Sequence, residues 1–252
     1  MSDLVLDRVT KSFGGVHAVA DVSIRAKGGS ITGLIGPNGA GKSTVINLVT
    51  GMFKLSSGSV TVDGKDISEE EPDLISRCGV SRTFQNIRLL PDATVLENVM
   101  IGFHRHSRAS MVAGVLGLRS SRRETEQIRA RSMALLEKFG VKRHADALAG
   151  GLAYGHQRRV EMARAVASEP EVLLLDEPVA GMNDVEADEM AVVFQELAAG
   201  GMGLLLVEHN IRFVSRMCDH VYVLASGRLI AEGEPRTVLN DDAVVTAYLG
   251  KK

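Results

Sequence analysis

The stretch "GPNGAGKST", Gly36 to Thr44, fits the spacing glycine, four residues, Gly-Lys-Ser/Thr. It follows the apolar run "SITGLI" (Ser30–Ile35) and precedes "VINLVTG" (Val45–Gly51), so it joins a buried strand to a helix. Glycines let a backbone curl until its N–H groups point at phosphate oxygens. The start of the helix adds partial positive charge at the same place. Lys42 then reaches the β- and γ-phosphates of a nucleotide, and the Ser43 hydroxyl is placed to coordinate Mg²⁺. A bare glycine turn between strand and helix is the competing reading, and the full pattern in this context weighs against it.

Other signals take their meaning from that loop. "VLLLDEP" (Val172–Pro178) is a continuous apolar strand ending in two acids. Asp176 at its carboxyl end would lie beside the phosphate loop and help hold Mg²⁺. Glu177 could orient or activate an attacking water. Alone, the pair would read as two acids ending a strand in solvent. His209 closes "GLLLVEH" in the same way, facing the crevice where α/β ligands bind. It could hydrogen-bond a γ-phosphate or the attacking water. Gln85 ends "SRTFQ", where an amide can ligate Mg²⁺ or sense the γ-phosphate.

Periodicity organises the rest. Alternation in "LVLDRV" and "VADVSIRA" predicts antiparallel strands near the amino end, and Asp63-Gly64 in "SVTVDGKDI" predicts a hairpin. Thr94 with Glu97 has capping-box spacing before a helix. A basic helical block follows, in which ten Lys/Arg between Arg105 and Arg143 face three acids. "LAYGHQRRVEMARAV" (Leu152–Val166) starts another helix. Its apolar side carries Val160, Ala163, Val166 and Ala167, with Arg158 roughly opposite. Strand–helix alternation continues to a hairpin in "HVYVLASGRLIAEG" and a short terminal helix. Such alternation argues for an α/β fold with a mainly parallel sheet. The basic block interrupts it as an inserted helical subdomain.

The 252 residues allow one large domain, and 45% hydrophobic with 24% charged residues is ordinary for a globular chain. A net charge of −2 gives no general bias toward nucleic acid, and none is expected as a partner. Two distant cysteines, Cys78 and Cys218, have no zinc spacing and suit a reduced compartment. The amino end has no secretory-signal pattern, and the longest apolar runs are far short of a bilayer span. If the protein works at a membrane, other chains must do the spanning.

Taken in order, these motifs resemble the ATP-binding subunits of ABC transporters over essentially the whole chain. Gly36–Thr44, including Asn38, Gly39, Ala40 and Gly41, looks like the Walker A loop. Gln85 looks like the Q-loop glutamine, Leu152–His156 the signature motif, and Leu173–Glu177 the Walker B strand. Ala180–Asn183 matches the D-loop and His209 the switch histidine, while Phe13 stands where an aromatic stacks on adenine. The segments "TFQNIRLLPDATVLENVMIG", "LAYGHQRR" and "LLLDEPVAGMND" resemble the branched-chain amino acid importer ATPases within that family. The signature departs from the usual letters. Ala153 stands where a serine hydroxyl is usual, Tyr154 where a glycine is, and His156 where a glutamine is, with Gly155 retained.

The resemblance implies a P-loop NTPase (RecA-like) core in residues 1–88 and 159–235, with an N-terminal antiparallel β-subdomain. It further implies a helical subdomain over 89–158 and a helical tail over 236–252. It implies ATP and Mg²⁺ as ligands, and pairing with a second ABC ATPase subunit, either a copy or a paralogue. Each ATP would lie between the Walker A loop of one subunit and the signature motif of the other. Two transmembrane permeases and, indirectly, a periplasmic or extracellular solute-binding protein complete the assembly, with this subunit peripheral on the cytoplasmic face. A lipopolysaccharide-type exporter ATPase and a soluble non-transport ABC ATPase are the competing readings. The basic insert is either a solvated face or a surface meeting permease or lipid headgroups.

Overall fold

Alternation builds the first sheet. In Leu4–Phe13 (β1) and Val16–Ala26 (β2), residues such as Leu4, Leu6, Val9, Val22 and Ile24 are buried, whereas Asp7, Arg8 and Asp21 are exposed. The strands run antiparallel with Leu4 opposite Ala26 and Leu6 opposite Ile24. Ser57–Val62 (β4) adds to β1, and the short Lys65–Asp66 (β5) adds to β4. Asp63 and Gly64 both have positive φ, 49° and 76°, as a two-residue primed turn requires. The order is β2-β1-β4-β5.

The second sheet contains Ile31–Ile35 (β3), Val80–Arg82 (β6), Val172–Asp176 (β7), Gly203–Val207 (β8), His220–Ala225 (β9) and Arg228–Gly233 (β10). Its order is β10-β9-β3-β8-β7-β6. Five strands are parallel and β10 is an antiparallel edge. Every residue of β3, β7 and β8 is buried, which is why those segments read as unbroken apolar runs. The α-helices among the described residues are Lys42–Val49 (α1), Pro72–Arg77 (α2), Val95–Gly102 (α3), Arg119–Lys138 (α4), Tyr154–Ala167 (α5), Asp184–Ala199 (α6), Ile211–Met217 (α7), Pro235–Val238 (α8) and Asp242–Leu249 (α9). The expected α/β fold with an antiparallel amino-terminal sheet and a parallel-rich core sheet is the fold observed.

The computed structural model describes residues 2–83, 87–103 and 119–249. Gln85 and residues 104–118 of the basic insert lie outside these. The chain divides into one unit of residues 1–82, 171–178 and 194–252, which holds both sheets, and another of residues 83–170 and 179–193.

The second unit is helical. Thr94 caps α3: its hydroxyl accepts from Glu97 N–H at 3.1 Å, and Glu97 Oε2 accepts from Thr94 N–H at 2.7 Å. Asn98, fully buried, ties α3 to the preceding loop through both backbone groups of Leu90, at 2.8 and 3.0 Å. Helix α5 packs against α3 and α4. Arg158, roughly opposite the apolar side, is completely buried as well. Its guanidinium donates to Glu161, one turn on and also buried, at 2.9 Å, so the charge enters as a pair. In the basic insert, Arg131 pairs with Glu169 and stacks on Phe103 at 4.4 Å from the ring centre.

Arg158→Ala leaves Glu161 buried without that cation. Urea denaturation is expected to show a loss of about 3–5 kcal/mol; a loss under about 1 kcal/mol would contradict the pairing as the reason for burial.

Candidate functional site

The loop after β3 shows why its residues must be glycine. At Gly36, φ is 151° and an added Cβ would sit 2.0 Å from the Leu224 carbonyl oxygen. At Gly41, φ is 105° and a Cβ would meet the Ala18 carbonyl at 2.6 Å. Gly39, by contrast, has nothing within 4 Å of where a Cβ would stand, so the loop is open there to a ligand. Ala40 is buried and its carbonyl accepts from Gly227 N–H at 2.9 Å, which anchors the loop from behind. The first bond of α1 runs from Val45 N–H to Gly41 O at 3.0 Å. The amides of Lys42, Ser43 and Thr44 therefore lie at the helix's open amino end. Asn38 and Ser43 are exposed and Thr44 is half-buried.

Lys42 is buried. Its ammonium donates to the carbonyls of Gly36 at 2.7 Å and Pro37 at 3.0 Å, which holds it against the loop. Burial pushes its pKa down, and the carboxylates of Glu177 and Asp176 push it back up. Asp176 ends β7 and is buried; its Oδ2 accepts from Arg82 Nη2 at 3.0 Å. Glu177 follows in left-handed backbone, φ 49°, with its N–H on the Val207 carbonyl at 2.9 Å. That turn brings Glu177 Oε1 to 3.5 Å from His209 Nδ1. Glu208, almost fully buried, lies 3.9 Å from the same nitrogen and accepts from the His209 amide at 3.2 Å. Phe13 ends β1 and is 45% exposed, its ring edge-on to Phe53 at 5.3 Å and with Lys11 Nζ at 5.1 Å. In the terminal helix, burial pushes the Tyr248 phenol up while the Gly36 amide acts in the opposite sense.

The second unit carries Leu152–His156. Ala153 precedes α5 in extended backbone and offers no side-chain cap. Its carbonyl accepts from the amides of His156 and Gln157 at 2.9 and 3.0 Å. Tyr154 is half exposed, and its ring lies against Gly181, whose built Cβ would be 3.2 Å away. Gly155 and His156 are half-buried. Asn183 closes a reciprocal cap on α6: its Oδ1 accepts from Glu186 N–H and its N–H donates to Glu186, both at 3.0 Å. His156 stacks on His144 with ring centres 4.8 Å apart, and Arg143 Nη2 is 3.5 Å from its Nε2. His156 and Arg143 line a cavity of about 520 Å³ together with Arg159, Glu186 and Glu189. Burial, then His144, Arg143 and Arg159, hold the His156 pKa below its ordinary value, and Glu186 opposes them.

Residues 19–180 match the family model described as "ABC transporter". The chain is an ATP-binding cassette of that family. The cassette's residues 228–252 also match a model described as "Branched-chain amino acid ATP-binding cassette transporter". It is 38% identical to the high-affinity branched-chain amino acid transport ATP-binding protein LivG of Salmonella typhimurium over 249 residues, 98% of each chain. It is 33% identical to the lipopolysaccharide export system ATP-binding protein LptB of Haemophilus influenzae, covering 100% of this chain and 99% of that one. Among solved structures it resembles the ADP conformation of MJ1267, an ATP-binding cassette of an ABC transporter. The TM-score there is 0.85, with 36% identity and full coverage of both chains.

Sequence reading missed several residues of the cassette. Arg82, Asn47 and Glu208 are polar side chains recognisable only once the strands are aligned, and His144 gave no signal as the neighbour of His156.

The lowered His156 pKa has a thermal consequence. The unfolded chain takes up a proton near the ordinary value of 6.5 while the folded cassette resists. Stability is therefore full above that value and declines as pH falls toward the folded pKa. Between pH 7.5 and 5.5 the melting temperature of the wild type should fall more than that of His156→Gln; parallel curves would contradict the assignment.

Proposed function

We propose that this cassette binds and hydrolyses Mg·ATP to power an importer of branched-chain amino acids or a related small amino acid or amide. The observation that carries the ATPase reading is the arrangement at one edge of the parallel sheet. Buried Lys42 follows β3, Asp176 and Glu177 end β7, and His209 follows β8. LivG and the carboxyl-terminal family match support the solute class. LptB's full-length similarity supports an exporter as the second reading.

In this reading the loop amides and Lys42 take the β- and γ-phosphates, and adenine stacks on the exposed face of Phe13. Ser43 and Asp176, with Gln85, supply the oxygen donors a hard cation such as Mg²⁺ prefers. Mg²⁺, when bound, neutralises charge on the phosphate oxygens. Glu177 removes a proton from water as the water oxygen bonds to the γ-phosphorus and the bond to the ADP oxygen breaks. His209 holds that carboxylate and can contact the γ-phosphate. The first turn of α5, Ala153 to His156, meets the γ-phosphate bound by a partner subunit through backbone N–H groups, which need no serine. The γ-phosphate is then the differential contact that favours the closed pair.

The partner is a copy or a paralogous ATPase. No helix among the described residues is long and apolar enough to cross a membrane, which suits a peripheral subunit on the cytoplasmic face beside two permease chains. The helical segment over 89–158 is proposed to carry closure to them.

Co-reconstitution with the permease pair and binding protein tests the solute. Leucine-stimulated ATP turnover with uptake is expected; lipopolysaccharide-stimulated turnover without uptake would favour the exporter. For the site, Lys42→Ala should weaken ATP binding by roughly 10- to 100-fold in calorimetric titration, as loss of a charged hydrogen bond implies. Unchanged affinity would remove Lys42 from the phosphate site.

A further inference from the structure

Arg82 has no assigned part in this site, yet it makes the direct contact to Asp176. It ends β6, where strand register sets it opposite Leu174 of β7, two residues before Asp176. From there the guanidinium forks. Nη2 donates to Asp176 Oδ2 at 3.0 Å and Nη1 donates to Asn47 Oδ1 on α1 at 2.6 Å. Both ends of the ion pair are enclosed, with side-chain exposures of 13% for Arg82 and 7% for Asp176. Lys42, the other cation near Asp176, spends its hydrogen bonds on the Gly36 and Pro37 carbonyls. A planar fork suits this place because it holds two acceptors from two elements at once, which a lysine does not. In sequence, Gln85 follows three residues after Arg82.

We propose that Arg82 is a positioning residue, the resident counter-ion that holds the Asp176 carboxylate in place until Mg²⁺ takes over its neutralisation. The proposal rests on the reading of Asp176 as the metal-side carboxylate. Mg²⁺ binding with nucleotide must compete with the guanidinium, so the resident charge raises the Mg²⁺ concentration the site requires.

The test is a Mg²⁺ titration of fluorescent ADP-analogue binding at constant ionic strength. In Arg82→Gln the half-saturating Mg²⁺ concentration should fall about five-fold or more, since a competing charge within contact distance is gone. In Arg82→Lys, which keeps the charge, it should stay within about two-fold of wild type. Asp176→Asn should raise it, and adding Arg82→Gln to that background should then change nothing. An unshifted Arg82→Gln beside a shifted Asp176→Asn overturns the counter-ion role and leaves the Asp176 reading standing. An unshifted Asp176→Asn overturns both. If Arg82→Gln does not fold, the wild-type chain answers by NMR of its arginine side chains, with Arg82 identified from the signal lost in Arg82→Lys. That signal should move on adding Mg·ADP and not on adding ADP with chelator; an unmoved signal in both overturns the proposal.

Discussion

The register of three parallel strands governs everything at this site. Leu34 of β3 pairs with Val207 of β8, and Val207 pairs with Asp176 of β7, so the three strands end at one level. Each then releases a loop from the same edge: the glycine loop to Lys42, the Asp176-Glu177 turn, and the Glu208-His209 turn. A slip of one residue in any pair would lift one group out of reach of the others. The Glu177 amide on the Val207 carbonyl fastens that alignment at its last position. It also fixes a non-glycine residue in left-handed backbone, a cost of order 1–3 kcal/mol that the surrounding sheet sustains. The strained turn is what aims the carboxylate at His209.

Charge is distributed around this edge in pairs. Lys42 is oriented by carbonyls and offset at longer range by Asp176 and Glu177. Asp176 is held by Arg82, and Glu177 Oε1 lies 3.5 Å from His209 Nδ1. The helical unit follows the same rule, burying Arg158 only together with Glu161. Helix α5 starts with backbone groups and no capping side chain, and burial, with neighbouring cationic groups, holds the His156 pKa below its ordinary value.

Much of this was legible because short local patterns carry it. Gly36–Thr44, the Asp63-Gly64 hairpin and the Thr94–Glu97 cap each need only adjacent residues to specify their geometry, and all three form as the letters suggest. Unbroken apolar runs announced the fully covered strands β3, β7 and β8. What stayed hidden depends on packing between distant segments. Helical periodicity set Arg158 roughly opposite the apolar side but could not show that it is buried there beside Glu161. Arg82 meets Asp176 across 94 positions of sequence, and His156 meets His144 across a bend that no periodicity encodes. Glu208, one residue before His209, was overshadowed by its neighbour although burial makes it the less ordinary carboxylate.

In the proposed reading, hydrolysis at this edge depends on the Glu177 carboxylate, set by the strained turn and faced by His209. The direct measurement is ATP binding and single-turnover hydrolysis by purified Glu177→Gln, which keeps shape and hydrogen-bonding capacity while removing the base. Binding should stay within a few-fold of wild type while the hydrolysis rate falls by about 10²–10⁴-fold. Hydrolysis at the wild-type rate would contradict the role given to Glu177 and with it the chemical purpose of the alignment.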